Sequence, residues 1–160
     1  MGSSVPLVQE YVESILNGHA RDVVDKIFAY SYIDHHPLRI PGVIMPSARN
    51  HGHVSDIQLL VNLLDQPGVD FVFTLEDVFE SADRVAYRIF GEGTVPVANL
   101  DIESQTGDLN LDGSRLQFSE LSLDTGMIGD DRLHVTYRSV GIFRVGTGQL
   151  VERWGASAFV

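Results

Sequence analysis

The strongest constraint on this fold is a pair of long, strand-forming stretches near the C-terminus, Leu133 to Val145 and Leu150 to Val160. Only Gly146-Thr147-Gly148-Gln149 separates them. Two extended runs with so short a link must pair antiparallel, and glycine supplies the positive φ that a tight hairpin turn needs. A second pair precedes them, Val69 to Glu80 and Arg84 to Val95, flanking the turn Ser81-Ala82-Asp83. A sheet of such strands exposes a wide apolar face, which something else in the chain has to cover.

The N-terminal part carries the cover. Leu7, Val8, Tyr11, Val12, Ile15 and Leu16 recur at helical spacing between Val5 and Asn17, with Pro6 in the first turn and Gly18 as the stop. Val23, Val24, Ile27 and Phe28 predict a second helix from Arg21 to about Ala29, and Ile57, Leu60, Val61 and Leu64 a third that ends at Gln66-Pro67-Gly68. Tyr30 to His36 reads as a short strand stopped by Pro37, and Leu38 to His53 as a loop. Pro96 to Asp131 reads as a long excursion with one or two short strands, Leu116-Gln117-Phe118 and Leu121-Ser122-Leu123 being the candidates. Helices first and antiparallel strands afterwards predict a single α+β domain over residues 1–160, three helices on one face of the sheet.

Composition narrows the chemistry. The chain has no cysteine, which excludes disulfides, thiolate metal ligands and a cysteine nucleophile, and suits a reducing cytoplasm. Eleven basic residues stand against 22 acidic ones, Lys26 is the sole lysine, and no basic run occurs, so nucleic acid and anionic membrane are not expected partners. No apolar stretch reaches the ~18–20 residues that span a bilayer. The start Met1-Gly2-Ser3-Ser4-Val5-Pro6 lacks the basic and apolar regions of a secretory signal. No glycine-rich phosphate loop, dinucleotide fingerprint or nucleophile elbow is present.

Three phrases occur in order: Tyr32-Ile33-Asp34-His35 after the second helix, Asp83-Arg84-Val85-Ala86-Tyr87-Arg88 followed by Gly93-Thr94, and Phe143-Arg144-Val145 leading to Gln149-Leu150-Val151-Glu152-Arg153-Trp154. Together they resemble the SnoaL-like polyketide cyclases of the nuclear-transport-factor-2-like superfamily, over the chain outside the Pro96–Asp131 excursion. The resemblance implies a cone-shaped barrel, its curved antiparallel sheet wrapped around a pocket, pairing as a homodimer through the outer sheet face and acting without metal or organic cofactor. It also implies that His35 and Trp154 line the pocket. The aldol-cyclase aspartate of that family falls at Ala158 and its histidines at Val95 and Arg144, so any catalysis here uses other groups.

Several residues could supply it. Asp34 and His35 form the leading acid–base pair, since a carboxylate beside an imidazole raises its basicity or sets its tautomer; adjacent strand residues face opposite ways, so only one of them can look inward. Asp77 and Glu92 are acids within apolar strands, suited to proton transfer if inward and surface charges if outward. Tyr32, Tyr87 and Tyr137 are candidate phenol donors to a developing oxyanion, or packing residues. Arg88, Arg138 and Arg144 interrupt apolar strands and could hold an anion or pair with an acid. His51, His53 and Asp56 read as a solvated loop rather than a metal site, with His53 a candidate for gating substrate. The expected function is a cofactor-independent cyclase or isomerase of a hydrophobic, oxygenated small molecule, with His35 as main proton carrier. The rivals are an epoxide hydrolase or dehydratase-type lyase, a member that binds a small ligand without transforming it, and a module that only pairs subunits.

Overall fold

The computed structural model describes residues 2–35, 54–96, 109–111, 114–116 and 132–159. His36, the loop Leu38–His53 with His51 and His53, the side chain of Asp56 and most of the Pro96–Asp131 excursion lie outside the described residues. The first helix, α1, is α-helical over Val5–Glu10 and continues directly as π-helical turns over Tyr11–Asn17. Helix α2 spans Arg21–Ile27 and α3 Val54–Leu64. The strands are β1 (Phe28–Asp34), β2 (Asp70–Ser81), β3 (Arg84–Pro96), β4 (Leu109–Leu111), β5 (Ser114–Leu116), β6 (Arg132–Gly146) and β7 (Gln149–Phe159).

Five strands form one curved sheet in the order β1-β7-β6-β3-β2, and β4 and β5 pair with each other. Both expected hairpins are present as antiparallel ladders, and their turns take left-handed residues: Ala82 at φ 54° in the first, Thr147 at 52° and Gly148 at 78° in the second. Successive left-handed residues match a type I′ turn, whose twist suits the flanking strands. The expected antiparallel cone is corrected in two respects. Strand β1 pairs with β7 in parallel, so the sheet is mixed, and among the described residues β1 and β2 are its edges and it does not close into a barrel. The second helix also stops earlier than expected, because β1 emerges from α2 at Phe28 without an intervening turn and takes its direction from the helix.

Strand alternation divides the sheet into two faces. Val85, Tyr87, Ile89, Val135, Tyr137, Ser139 and Phe143 are buried on the inner face, with Phe71 and Phe73 from β2. Helix α1 covers this face with Val8, Tyr11, Val12, Ile15 and Leu16, and α2 and α3 add Val24, Ile27, Ile57, Leu60, Val61 and Leu64. Each such side chain, fully buried, contributes roughly 1.5–3 kcal/mol. Among the described residues no helix is long and apolar enough to cross a membrane.

Two local features hold β2 in place. Asn17, at the end of α1, donates through Nδ2 to the Phe73 carbonyl and accepts from the Phe73 N–H through Oδ1, both at 2.8 Å. The edge strand thus finds in a side-chain amide a substitute for a missing ladder partner. Across the β2–β3 ladder, a Cβ on Gly93 would sit 2.0 Å from the Asp70 carbonyl oxygen and 2.7 Å from the Phe71 Cα. Both neighbours are backbone and cannot step aside. Gly93→Ala is expected to lower the unfolding free energy by about 1–3 kcal/mol in urea titrations, whereas Gly148→Asn, at a turn position open to left-handed residues, should cost less than half as much.

Candidate functional site

Parallel pairing of β1 with β7 sets Asp34 opposite Arg153, and both side chains enter the inner face. Asp34 is 3% exposed and Arg153 1%. Arg153 Nη1 donates to both carboxylate oxygens of Asp34, at 3.1 and 3.3 Å. Tyr32, two residues back on the same face of β1, donates its hydroxyl to Asp34 Oδ2 at 3.0 Å. Arg153 Nε donates to the Tyr87 hydroxyl oxygen, and the guanidinium carbon lies 5.9 Å from the centre of the Tyr87 ring. Tyr11 of α1 closes the cluster, packing edge-on against Phe28 and Phe143 at 5.5 Å.

Two glycines make this arrangement fit. Tyr87, Gly141 and Gly155 are register partners across β3, β6 and β7. A Cβ on Gly141 would lie 2.3 Å from the Tyr87 hydroxyl oxygen, and one on Gly155 2.6 Å from Arg153 Nη2. The phenol lies across bare backbone at one position and the guanidinium at the other.

Burial sets the protonation states. It pushes the Tyr11 and Tyr32 phenols well above their ordinary range, with the Tyr87 phenol the next contributor for Tyr11 and the Asp34 carboxylate for Tyr32. Tyr87 is likewise raised by burial, against the opposing pull of the Arg153 charge. All three therefore stay protonated donors in neutral solution. Burial alone would depress Arg153, but the surrounding phenol and carboxylate oxygens of Tyr87 and Asp34 outweigh it and hold the guanidinium cationic. The result is the Arg153 cation beside the Asp34 carboxyl group and a ring of neutral hydroxyls, buried among aromatic side chains.

The other candidates lie on the outer face. His35, which the resemblance places in the pocket, is half-exposed: its Nε2 donates to Glu152 Oε1 at 2.8 Å, and its ring stacks on Trp154 with ring centres 5.1 Å apart. Trp154 is outside with it, and Arg84 lies over its ring at 5.4 Å. The reason is alternation: Arg153 faces the helices, so its neighbours Glu152 and Trp154 cannot, and Asp34 inward sends His35 outward. Asp77 pairs with Arg88 at 2.5 Å and Glu92 with His134 at 3.0 Å, both outside. Arg88 also binds Glu76 at 2.9 Å. Arg138 lies over the Phe90 ring, and Arg144 Nε binds Glu152 at 2.7 Å. Tyr32, Tyr87 and Tyr137 are inward and buried. His53 lies outside the described residues. Among the described residues no three His, Asp or Glu side chains gather as a metal-holding group.

Sequence reasoning therefore missed Arg153 and Tyr11, and it had the signal for the first. Arg153 shares a strand face with Gly155 and stands opposite Trp154, so fixing the direction of either one fixes the other. Tyr11 looked like any other core position of an apolar stripe.

No family model and no curated protein matches this sequence. Solved structures do match its fold. A SnoaL-like polyketide cyclase from Agrobacterium tumefaciens aligns over 99% of this chain and 93% of its own at 16% identity, TM-score 0.57. IdmH from Streptomyces antibioticus, a candidate polyketide cyclase, aligns over 98% and 92% at 15% identity, TM-score 0.60. TsrD from Streptomyces laurentii aligns over 96% and 87% at 15% identity, TM-score 0.58. The chain has the α+β fold of the SnoaL-like polyketide cyclases.

Two outcomes follow from these geometries. Arg153→Met leaves the Asp34 carboxylate buried without its counter-charge, and should cost about 3–5 kcal/mol in urea unfolding, most of it recovered in the Arg153→Met/Asp34→Leu double variant. On the outer face, hydrogen bonds from His35 and then Arg144 hold the Glu152 carboxyl below its ordinary range. A carboxyl depressed by folding adds stability above its unfolded pKa and loses it as pH falls through the folded value. The stability gap between the wild type and Glu152→Gln should accordingly be full at neutral pH and shrink on acidification below the usual carboxylate range, as read from urea midpoints across pH.

Proposed function

We propose that this chain is a SnoaL-like, cofactor-independent cyclase or isomerase that acts by acid–base chemistry on a hydrophobic, oxygenated small molecule of polyketide type. The observation that carries the reading is the buried Asp34–Arg153 pair with its phenol donors. A buried ion pair is a poor source of stability, because desolvation offsets most of its attraction, and apolar residues of similar volume commonly do as well or better. Charges kept in such a place supply something that packing does not, and acid–base chemistry needs a carboxylate with a defined orientation and donors already aimed at an oxygen.

Asp34 is the proton carrier in this proposal. It takes an acidic C–H or O–H proton from the substrate and returns it at a second atom, while Arg153 fixes its orientation. Tyr87 is the donor to the oxygen on which charge develops: its hydroxyl oxygen already accepts from Arg153 Nε, so its own proton is left to give, polarised by the cation behind it. The departures of the sequence from the aldol-cyclase pattern leave cyclisation through oxygen, double-bond migration, dehydration and epoxide opening as the reaction types this machinery serves. The apolar outer-face residues Ile33, Val72, Phe79, Val140 and Ile142 are exposed, and they favour a homodimer that covers the face. The absence of cysteine favours a cytoplasmic setting.

One observation favours a second reading, a ligand-binding member without turnover: both Asp34 oxygens already hold donors from Arg153 and Tyr32. Incubation with a panel of poly-β-ketone, enone and epoxide compounds, followed by mass spectrometry and NMR of the recovered molecules, separates the two, since only an enzyme changes their structure. For the catalytic reading, Asp34→Asn should cut turnover by about 100-fold or more, with circular dichroism unchanged. His35→Ala should leave turnover within about twofold, as expected of a residue outside the inner face.

A further inference from the structure

The inner face carries one polar group that the Asp34–Arg153 cluster does not use. Ser139, on β6, is 1% exposed, and its Oγ is buried with no hydrogen-bond partner among the described residues. A hydroxyl removed from water and left unpaired is a standing free-energy cost, and folded proteins leave very few such groups without a reason.

Its position supplies the reason. Ser139 lies two residues from Gly141 along the same face of β6, and the Tyr87 hydroxyl lies over Gly141. Tyr87 and Ser139 are thus diagonal neighbours across the β3–β6 ladder, a separation that long side chains bridge. The register partner of Ser139 on β3 is the aliphatic Ile89, and the next inward residue along β6 is Tyr137. One hydroxyl without a partner and one phenol with a proton to give are therefore diagonal neighbours on a wall that Ile89 and Tyr137 help to line. Binding sites are made this way: a few convergent polar groups set into an apolar lining.

We infer that Ser139 is a ligand-anchoring residue, whose hydroxyl takes up a hydrogen bond with an oxygen of a flat, apolar ligand, beside the oxygen engaged by Tyr87. This rests on the functional reading above and deepens it, because it names the ligand class as aromatic or conjugated molecules bearing a hydroxyl or carbonyl group. Ser139 touches the ligand in this scheme but moves no proton, so its loss should raise KM or Kd and leave kcat nearly unchanged.

The test uses two probes of similar shape, 2-naphthol and 2-methylnaphthalene, titrated by fluorescence against the full chain and against Ser139→Ala, with Ser139→Cys as a volume-matched second variant. Wild type should prefer 2-naphthol by about tenfold, and both variants should lose most of that preference. Melting temperatures of the variants should equal or exceed that of wild type, because removing an unpaired hydroxyl relieves a cost. An unchanged preference in the variants, or a marked fall in their melting temperature with the preference intact, would show a hydroxyl paired within the fold or to a buried water, and overturns the assignment of Ser139 alone. Failure of both probes to bind wild type at millimolar concentration overturns the ligand-pocket reading itself, and the inference with it.

Discussion

A guanidinium cannot enter an aromatic core by itself, and most of this architecture can be read as the arrangement that lets Arg153 do so. Its counter-charge, Asp34, comes from a strand far away in sequence, and the parallel pairing of β1 with β7 presents that residue in register. The parallel strand in turn requires α2 to deliver the chain at the right edge and heading, which explains why α2 passes into β1 without a turn. The space the guanidinium occupies exists because Gly155 has no side chain, and the phenol it touches lies flat because Gly141 has none. Strand direction, two glycines and a helix–strand junction thus converge on a single contact.

The two faces of the sheet carry charge in opposite manners. Outside, His35, Glu152, Arg144, Arg84 and Trp154 form a partly exposed cluster in which water screens much of the charge, so that the pairs contribute modestly and serve solubility or contact with another surface. Inside, among the described residues, the charged pair is Asp34 with Arg153, buried and ringed by phenols. Chemistry that depends on a directed proton belongs to the second environment, because electrostatic effects there are both larger and fixed in orientation.

The strand pairs, the helical cover and the α+β class were legible in the sequence because periodicity is a local signal: the hairpin turns at Ala82 and Thr147-Gly148, and the stripe from Val8 to Leu16, are written in consecutive residues. The tyrosines Tyr32 and Tyr87 were likewise visible as candidates, as was Asp34. What local patterns do not carry is the absolute direction of a strand. Alternation says that Asp34 and His35 oppose each other, and that Arg153 and Trp154 do, yet it leaves open which member of each pair looks inward. The resemblance favoured His35 and Trp154, and packing chose Asp34 and Arg153. Long-range facts were hidden for the same reason: the parallel β1–β7 ladder joins segments over a hundred residues apart, and the missing partner of Ser139 is a property of its surroundings rather than of its own neighbourhood in the chain.

The π-helical stretch Tyr11–Asn17 has a consequence for how this chain tolerates change. A widened turn is what an α-helix becomes when it absorbs an extra residue without surrendering either end, and in α1 both ends are engaged: Tyr11 sits against Phe28 and Phe143, and Asn17 grips the backbone of Phe73. In an ordinary helix, dropping one residue turns everything beyond it by about 100°. Here the wide turns take up that rotation between two engaged ends, which lets Tyr11 and Asn17 each meet its partner from a single continuous helix.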